Sequence, residues 1–353
     1  MKKRENYYLL RALPALLLLL VLLILPLLAI ISSAFSDGGA ALLSVFRDRY
    51  TYRLLLFTLE ESLLSAIISI ALAIPFAAFF SAYTFRGRKA ILTLSELSFT
   101  MPSILVVLGF VIWYGNNGIL NTAIRNLLSL DGTPLRILYS FKAIILAHVY
   151  LNFPIAFALL TSEWSAESNT EEEASYLLGR SKARTFISIT LPKLKGTIIS
   201  AFMLIFLFCF SSFSIVLVLG GKPKYYTLEA EIYKRTYTTM NMPSSASLSL
   251  FVLLVTSMLL IATSGGKRRE KASRSSKELK KAKGKAAFAA FILSLLILSF
   301  LLPPVLSIAY RAFFTKSGEF TLKGWQDLAN AKHGDAASAL SGIINSLLIA
   351  AAA

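Results

Sequence analysis

The sequence holds a single cysteine, Cys209, among 353 residues. One thiol excludes an internal disulfide, and its place in an apolar run gives it the role of a small buried hydrophobe. Neither GxxxxGKS nor GxxxxGKT occurs, so the chain has no phosphate-cradling Walker A loop and cannot hydrolyse ATP by that route. Zinc-type Cys/His spacing and a nucleophile elbow are also missing. No catalytic residue, cofactor or metal is therefore expected. Acidic residues are scarce, 19 against 36 Lys and Arg, for a formal charge of +17. Such an excess could suit nucleic acid, but the basic residues collect beside the ends of apolar runs, as the positive-inside rule requires, and nucleic acid is not an expected partner.

What is abundant is apolar sequence: 56% of the residues are hydrophobic, and they lie in long blocks rather than in alternation. Runs of about 20 apolar residues span a hydrocarbon core as helices. The fold class expected is all-α, a polytopic transmembrane bundle with about six helices in a first half. The first span, 12–35, follows Met1-Lys2-Lys3-Arg4; it is too long for a signal-peptide core and is read as an uncleaved helix with the amino terminus inside. Spans at 54–83, 90–114, 141–162, 197–219 and 246–264 follow. Met101-Pro102 is expected to kink the third, and Asp131-Gly132-Thr133-Pro134 to turn the outer segment after it. The stretch 265–285 is a basic cytoplasmic linker, attracted to anionic lipid or simply a solvated tether. The four segments placed inside carry 22 of the 36 Lys and Arg and only 8 of the 19 acids.

Between the fourth and fifth spans lies a charged, helix-forming island, TEEEASYLLGRSKARTFISITLPKLKG, from Thr170 to Gly196. Thr170 with Glu173 forms a capping-box pattern, and Glu171 and Glu172 suit a first turn. Ala174, Leu177 and Leu178 then make one short apolar stripe. Gly179 is expected to close the helix in the left-handed conformation. A second helix starts at Ser181, and Pro192 is expected to end it. The stripe either packs on the protein's own helix ends or lays into a groove of a soluble partner.

After the linker the pattern begins again. Residues 302–309 resemble 25–31 of the first span, and 345–350 resemble 61–66 of the second, which suggests a tandem repeat. The expected division is a first half at 1–264, the linker at 265–285 and an incomplete second half at 286–353. Weaker constellations remain. Glu96 is an acid inside a span. His148, Asn152 and Pro154 make the fourth span polar, with helix–helix bonding or solute contact as the alternatives. Ser211, Ser212 and Ser214 either let helices approach or line a translocation path, to which Asn152 would also belong. Tyr225, Tyr226, Glu229, Glu231 and Tyr233 are placed on the outer side.

Glu173-Ala174-Ser175, three residues, Gly179, nine residues, then Ile189-Thr190-Leu191-Pro192 resembles the EAA loop of binding-protein-dependent ABC import permeases of the MetI-like type. Ser175 departs from the usual second alanine but stays small. Residues 58–82, Ala147 to Pro154, and 208–221 followed by Thr227-Leu228-Glu229 and Ile232-Tyr233 further resemble the fused two-half permeases of thiamine and ferric-iron importers. The resemblance implies a permease in the inner membrane of a prokaryote, with Glu173, Ala174, Ser175, Gly179, Ile189, Leu191 and Pro192 in an ATPase-coupling loop. It also implies separate ATPase subunits and a periplasmic or lipid-anchored solute-binding protein. Thiamine or ferric iron is the expected solute, with polyamine, sulfate or phosphonate as alternatives. Ion-gradient carriers and non-transporting scaffolds are the competing classes.

Overall fold

The computed structural model describes residues 2–167, 170–264, 279–315, 317–330 and 337–352. Long apolar runs without internal partners for their backbone groups can only be helices in hydrocarbon. Seven described helices are long and apolar enough to cross a membrane. In chain order the helices are α1 (Lys2–Ala34), α2 (Ala40–Arg47), α3 (Arg49–Ala82), α4 (Arg88–Thr100), α5 (Ser103–Tyr114), α6 (Ile119–Leu128), α7 (Phe141–Ala166) and α8 (Thr170–Leu177). There follow α9 (Lys182–Thr185), α10 (Leu191–Phe210), α11 (Leu228–Tyr233), α12 (Met242–Ser264), α13 (Lys285–Phe313), α14 (Lys323–Asn330) and α15 (Ala337–Ala352).

The core is built on α3, which packs parallel along α7, with α10 against both. Small residues Ala66, Ala73 and Ala77 on α3 and Ala143, Ala147 and Ala156 on α7 are buried, and without large side chains two helices can approach closely. Phe80 meets Phe157 edge-on at 5.0 Å near one end of the pair, and Phe57 meets Phe141 at 5.7 Å near the other. Those two contacts place the C-termini of α3 and α7 at the same end of the bundle. Two residues just beyond α3, β1 (Tyr83–Thr84), pair in parallel with β2 (Lys280–Lys281). The tail of the basic stretch and the charged island therefore lie at one end, as the sequence expects of two cytoplasmic segments. Most of the basic stretch, 265–278, lies outside the described residues.

The third span is broken outright rather than kinked. Met101 is extended (φ −71°, ψ 137°) between α4 and α5, because a residue before proline is disfavoured in the helical region and Pro102 has no N–H to continue the ladder. The fifth span is also two pieces. Helix α10 ends at Phe210, and a short π-turn, Val216–Gly220, resumes after Ser211, Ser212 and Phe213. Serine side chains compete with the helix for backbone groups, and three hydroxyls close together weaken it there. Pro192 does not end the second helix of the charged island. Helix α9 runs through a π-turn, Phe186–Thr190, directly into α10. The Leu191 N–H reaches back five residues to Phe186 O, so the ring of Pro192 enters at the first turn of α10, where a missing donor costs little.

Helix α13 packs on α5 and α4. A Cβ on Gly109 would fall 2.4 Å from Pro304 O, and Ser307 donates to Gly109 O at 3.3 Å. Tyr150 donates to Leu301 O at 2.8 Å, satisfying a carbonyl beside the Pro303-Pro304 pair. Gly109→Ala is thus expected to push α13 from α5 and cost about 1–3 kcal/mol, the usual penalty for overpacking. Chemical unfolding of the purified protein in detergent checks this; a midpoint equal to wild type would show that the two helices do not depend on contact there.

Candidate functional site

The charged island folds as a bent helix pair. Helix α8 closes with Gly179 at φ +78°, and nothing lies within 4 Å of a Cβ built on it. The requirement for glycine is therefore conformational and not steric. The Gly179 N–H donates to Tyr176 O at 3.0 Å and the Arg180 N–H to Ser175 O at 3.1 Å, the paired bonds of a Schellman motif. Ser181 then caps α9 by accepting from the Arg184 N–H. Ser168 and Asn169, which precede α8, lie outside the described residues, and Thr170 stands as the first helical residue instead of ahead of it.

The bend is fixed by polar contacts on its inner side. Ser175, buried, meets Thr185 at 2.9 Å; Thr190 donates to Glu172 at 2.6 Å; Lys193 pairs with Glu171 at 3.2 Å. Trp164, on the last turn of α7, stacks on Phe186 at 5.9 Å, joining the pair to the membrane helices. The small residue at 175 thus has a packing reason. The apolar side chains point the other way: Leu177 is 90% exposed, Leu178 83% and Ile187 64%. Packing of the stripe on the protein's own helix ends is overturned by that exposure. The pair is a rigid, presented apolar edge on a charged element, the form that fits a helix-in-groove contact. Glu173, Ala174 and Gly179 are exposed, Ile189 and Leu191 partly covered.

The proposed path residues divide. Ser103, at the start of α5, meets Ser214 at 3.3 Å, so the breaks in the third and fifth spans lie side by side. Ser211 is exposed and Ser212 and Ser214 half-buried. Asn152 is elsewhere, buried, with its amide nitrogen bonded to His148 O at 2.8 Å and Cys209 Sγ at 3.3 Å. Glu96 is exposed on α4 and makes no buried cluster. The buried acid is Glu61 on α3, in contact with His148 Nδ1. Glu60-Glu61 inside an apolar run was the available signal. At the N-terminal end of α3 Glu231 is buried, held by Tyr50 at 3.1 Å, Arg235 at 3.1 Å and Lys234 at 3.6 Å, while burial raises the carboxyl of Glu229 above its ordinary range. At that end a cleft of about 880 Å³ is lined by Arg49, Arg53, Lys224, Tyr50, Phe57 and Tyr225 among others. Its three cations share the lining with one carboxylate, Glu60.

Comparison with known proteins gives the same class. Residues 69–303 match the family described as the binding-protein-dependent transport system inner membrane component. The chain is 30% identical over 285 residues to the thiamine transport system permease protein ThiP of Haemophilus influenzae, covering 80% of this chain and 52% of that one. It is 29% identical over 236 residues to ThiP of Brucella abortus, covering 66% and 43%. The chain thus spans about half the length of these relatives. In fold it is similar to a chain of a bacterial alginate ABC transporter solved in complex with an alginate pentasaccharide-bound periplasmic protein (TM-score 0.61, 18% identity, 78% of this chain and 99% of that one). A multi-pass helical bundle, a glycine-bent pair of helices outside it and a match over two thirds of the sequence agree: this chain belongs to the inner-membrane component family of binding-protein-dependent transport systems.

Proposed function

We propose that this chain is the membrane-spanning part of an ATP-driven importer, and that Glu173 to Pro192 is the element through which a separate ATPase subunit drives it. The observation that carries the reading is the exposure of Leu177 and Leu178 on a bend whose inner side is fully engaged. A two-state cleft in the ATPase that opens and closes with nucleotide would swing this lever, and α10, continuous with it through the π-turn, would pass the movement to the core. The solute would be thiamine, the substrate named for the relatives above, brought by a periplasmic or lipid-anchored binding protein. Ser211, Ser212 and Ser214, with Ser103, are the residues assigned to its path, since paired helix breaks offer polar backbone where a solute needs it.

The amino terminus and the basic linker would lie in the cytoplasm, as the charge asymmetry favours. Residues 1–264 would form one permease half and 286–353 the start of another. An ion-gradient carrier fits less well, because of the two ionisable groups that would suit it Glu96 is exposed and His148 contacts Glu61, and the bent pair would have no task.

The test is Gly179→Pro in the permease co-expressed with its ATPase. Proline cannot reach φ +78° and removes the N–H bonded to Tyr176 O. Normal insertion with uptake of labelled thiamine reduced to background is expected; wild-type uptake, with ATPase association unchanged, would refute the coupling role.

A further inference from the structure

Three helices of the core each send one metal-competent side chain to the same buried point. Glu61 from α3, His148 from α7 and Cys209 from α10 are 0%, 2% and 0% exposed, and one ligand atom from each lies within 4.8 Å of the others. Zinc ligands stand about 2.0–2.3 Å from the ion, so the donors of a tetrahedral site are roughly 3.5 Å apart. Side-chain movements of an ångström close the difference. Glu61 Oε1 contacts His148 Nδ1, yet neither nitrogen of His148 has a partner in hydrogen-bonding geometry. A buried imidazole whose Nε2 has no partner, facing a carboxylate and a thiol, is an expensive arrangement unless something binds it.

The surroundings are those of a supported ligand set. Asn152 must point its amide nitrogen at His148 O, 2.8 Å away, so it also donates to Cys209 Sγ at 3.3 Å. Donation to sulfur suits a thiolate better than a thiol. The hydroxyl of Ser65 lies 3.4 Å from Glu61 Oε1, where it orients the carboxylate in the way outer partners orient metal ligands, while Ser62, 3.2 Å from the other oxygen, gives its proton to Thr58 O at 2.6 Å. Charge also closes. One carboxylate, one thiolate, a neutral imidazole and a divalent cation sum to zero, the sum that an apolar bundle tolerates best.

We propose that Glu61, His148 and Cys209 form a structural site for a divalent, borderline-soft cation of the zinc class, which staples α3, α7 and α10. Binding replaces the Cys209 S–H bond with a metal–sulfur bond and releases that proton to solvent. The ion displaces the direct Glu61–His148 contact and gives the imidazole a partner. Because all three ligands are buried, the ion enters as the bundle folds and is not cargo.

The chain purified in detergent should carry one equivalent of zinc by elemental analysis. Exchange with Cd(II) should produce a sulfur-to-metal charge-transfer band. Cys209→Ser should lose the band, and Glu61→Gln should reduce the metal content severalfold, each in protein that still elutes as a folded species. Absence of stoichiometric metal with no band on adding Cd(II), or equal metal content in Cys209→Ser, would overturn the site and leave a Glu–His contact alone. Neither result bears on ATPase docking, which uses other residues.

Discussion

Replacing Leu177 and Leu178 together by aspartate is expected to abolish ATPase association and solute uptake while leaving the bundle folded. Both side chains are almost wholly in solvent, so the folded state loses little by their removal. A partner groove that receives them would lose central apolar anchors and gain two buried charges. Truncating one such anchor costs about 2 kcal/mol or more, roughly thirtyfold in affinity, and the charges add to it. The contrast with Ser175 makes the test specific. Ser175 is buried against Thr185, so Ser175→Leu would disturb the bend itself. Leucine-to-aspartate variants that still pull down the ATPase at wild-type levels would mean that the exposed edge is not the docking surface.

Glu61→Ala should be the most destabilising single change in the membrane core. The residue is fully buried between α3 and α7, and its removal leaves His148 with no acid partner and an empty volume beside it. Breaking a buried pair from one side costs about 3–5 kcal/mol, a large share of the stability of any domain. Unfolding monitored by tryptophan fluorescence, Trp164 lying on the same helix as His148, measures the loss. A midpoint shift equivalent to under about 1 kcal/mol, the scale of an exposed pair, would show that the contact carries no load. Glu96→Ala, on an exposed face of α4, should change little and is the matched control.

The contrast between those two acids shows what a sequence can reveal. Both sit in apolar stretches, and only packing separates them. On α3 the buried polar residues Thr58, Glu61, Ser62, Ser65 and Ser69 follow helical spacing, a stripe legible in advance, but its partners are far along the chain. Glu61 and Cys209 are brought together across six intervening helices, α4 to α9, which no spacing rule reads. The bend at Gly179 was legible because only glycine enters that conformation cheaply. The fate of Pro192 was not, because a π-turn shifted the ladder and moved the proline from a helix end to a helix start. The break at Pro102 follows from local chemistry, whereas the break at Ser211 lies where Ser214, just beyond it, meets Ser103 on a neighbouring span. Seven spans emerge from the apolar runs because hydrocarbon leaves a chain few choices.

The position of the bent pair relative to an ATPase is open to direct measurement. A photo-crosslinking residue at position 178, in membranes containing the assembled importer, should join this chain to the ATPase subunit, and the yield should change between nucleotide-free and ATP-bound states. A crosslink formed only to the external binding protein, or labelling of position 178 by a membrane-impermeant reagent from outside intact cells, would contradict the coupling role.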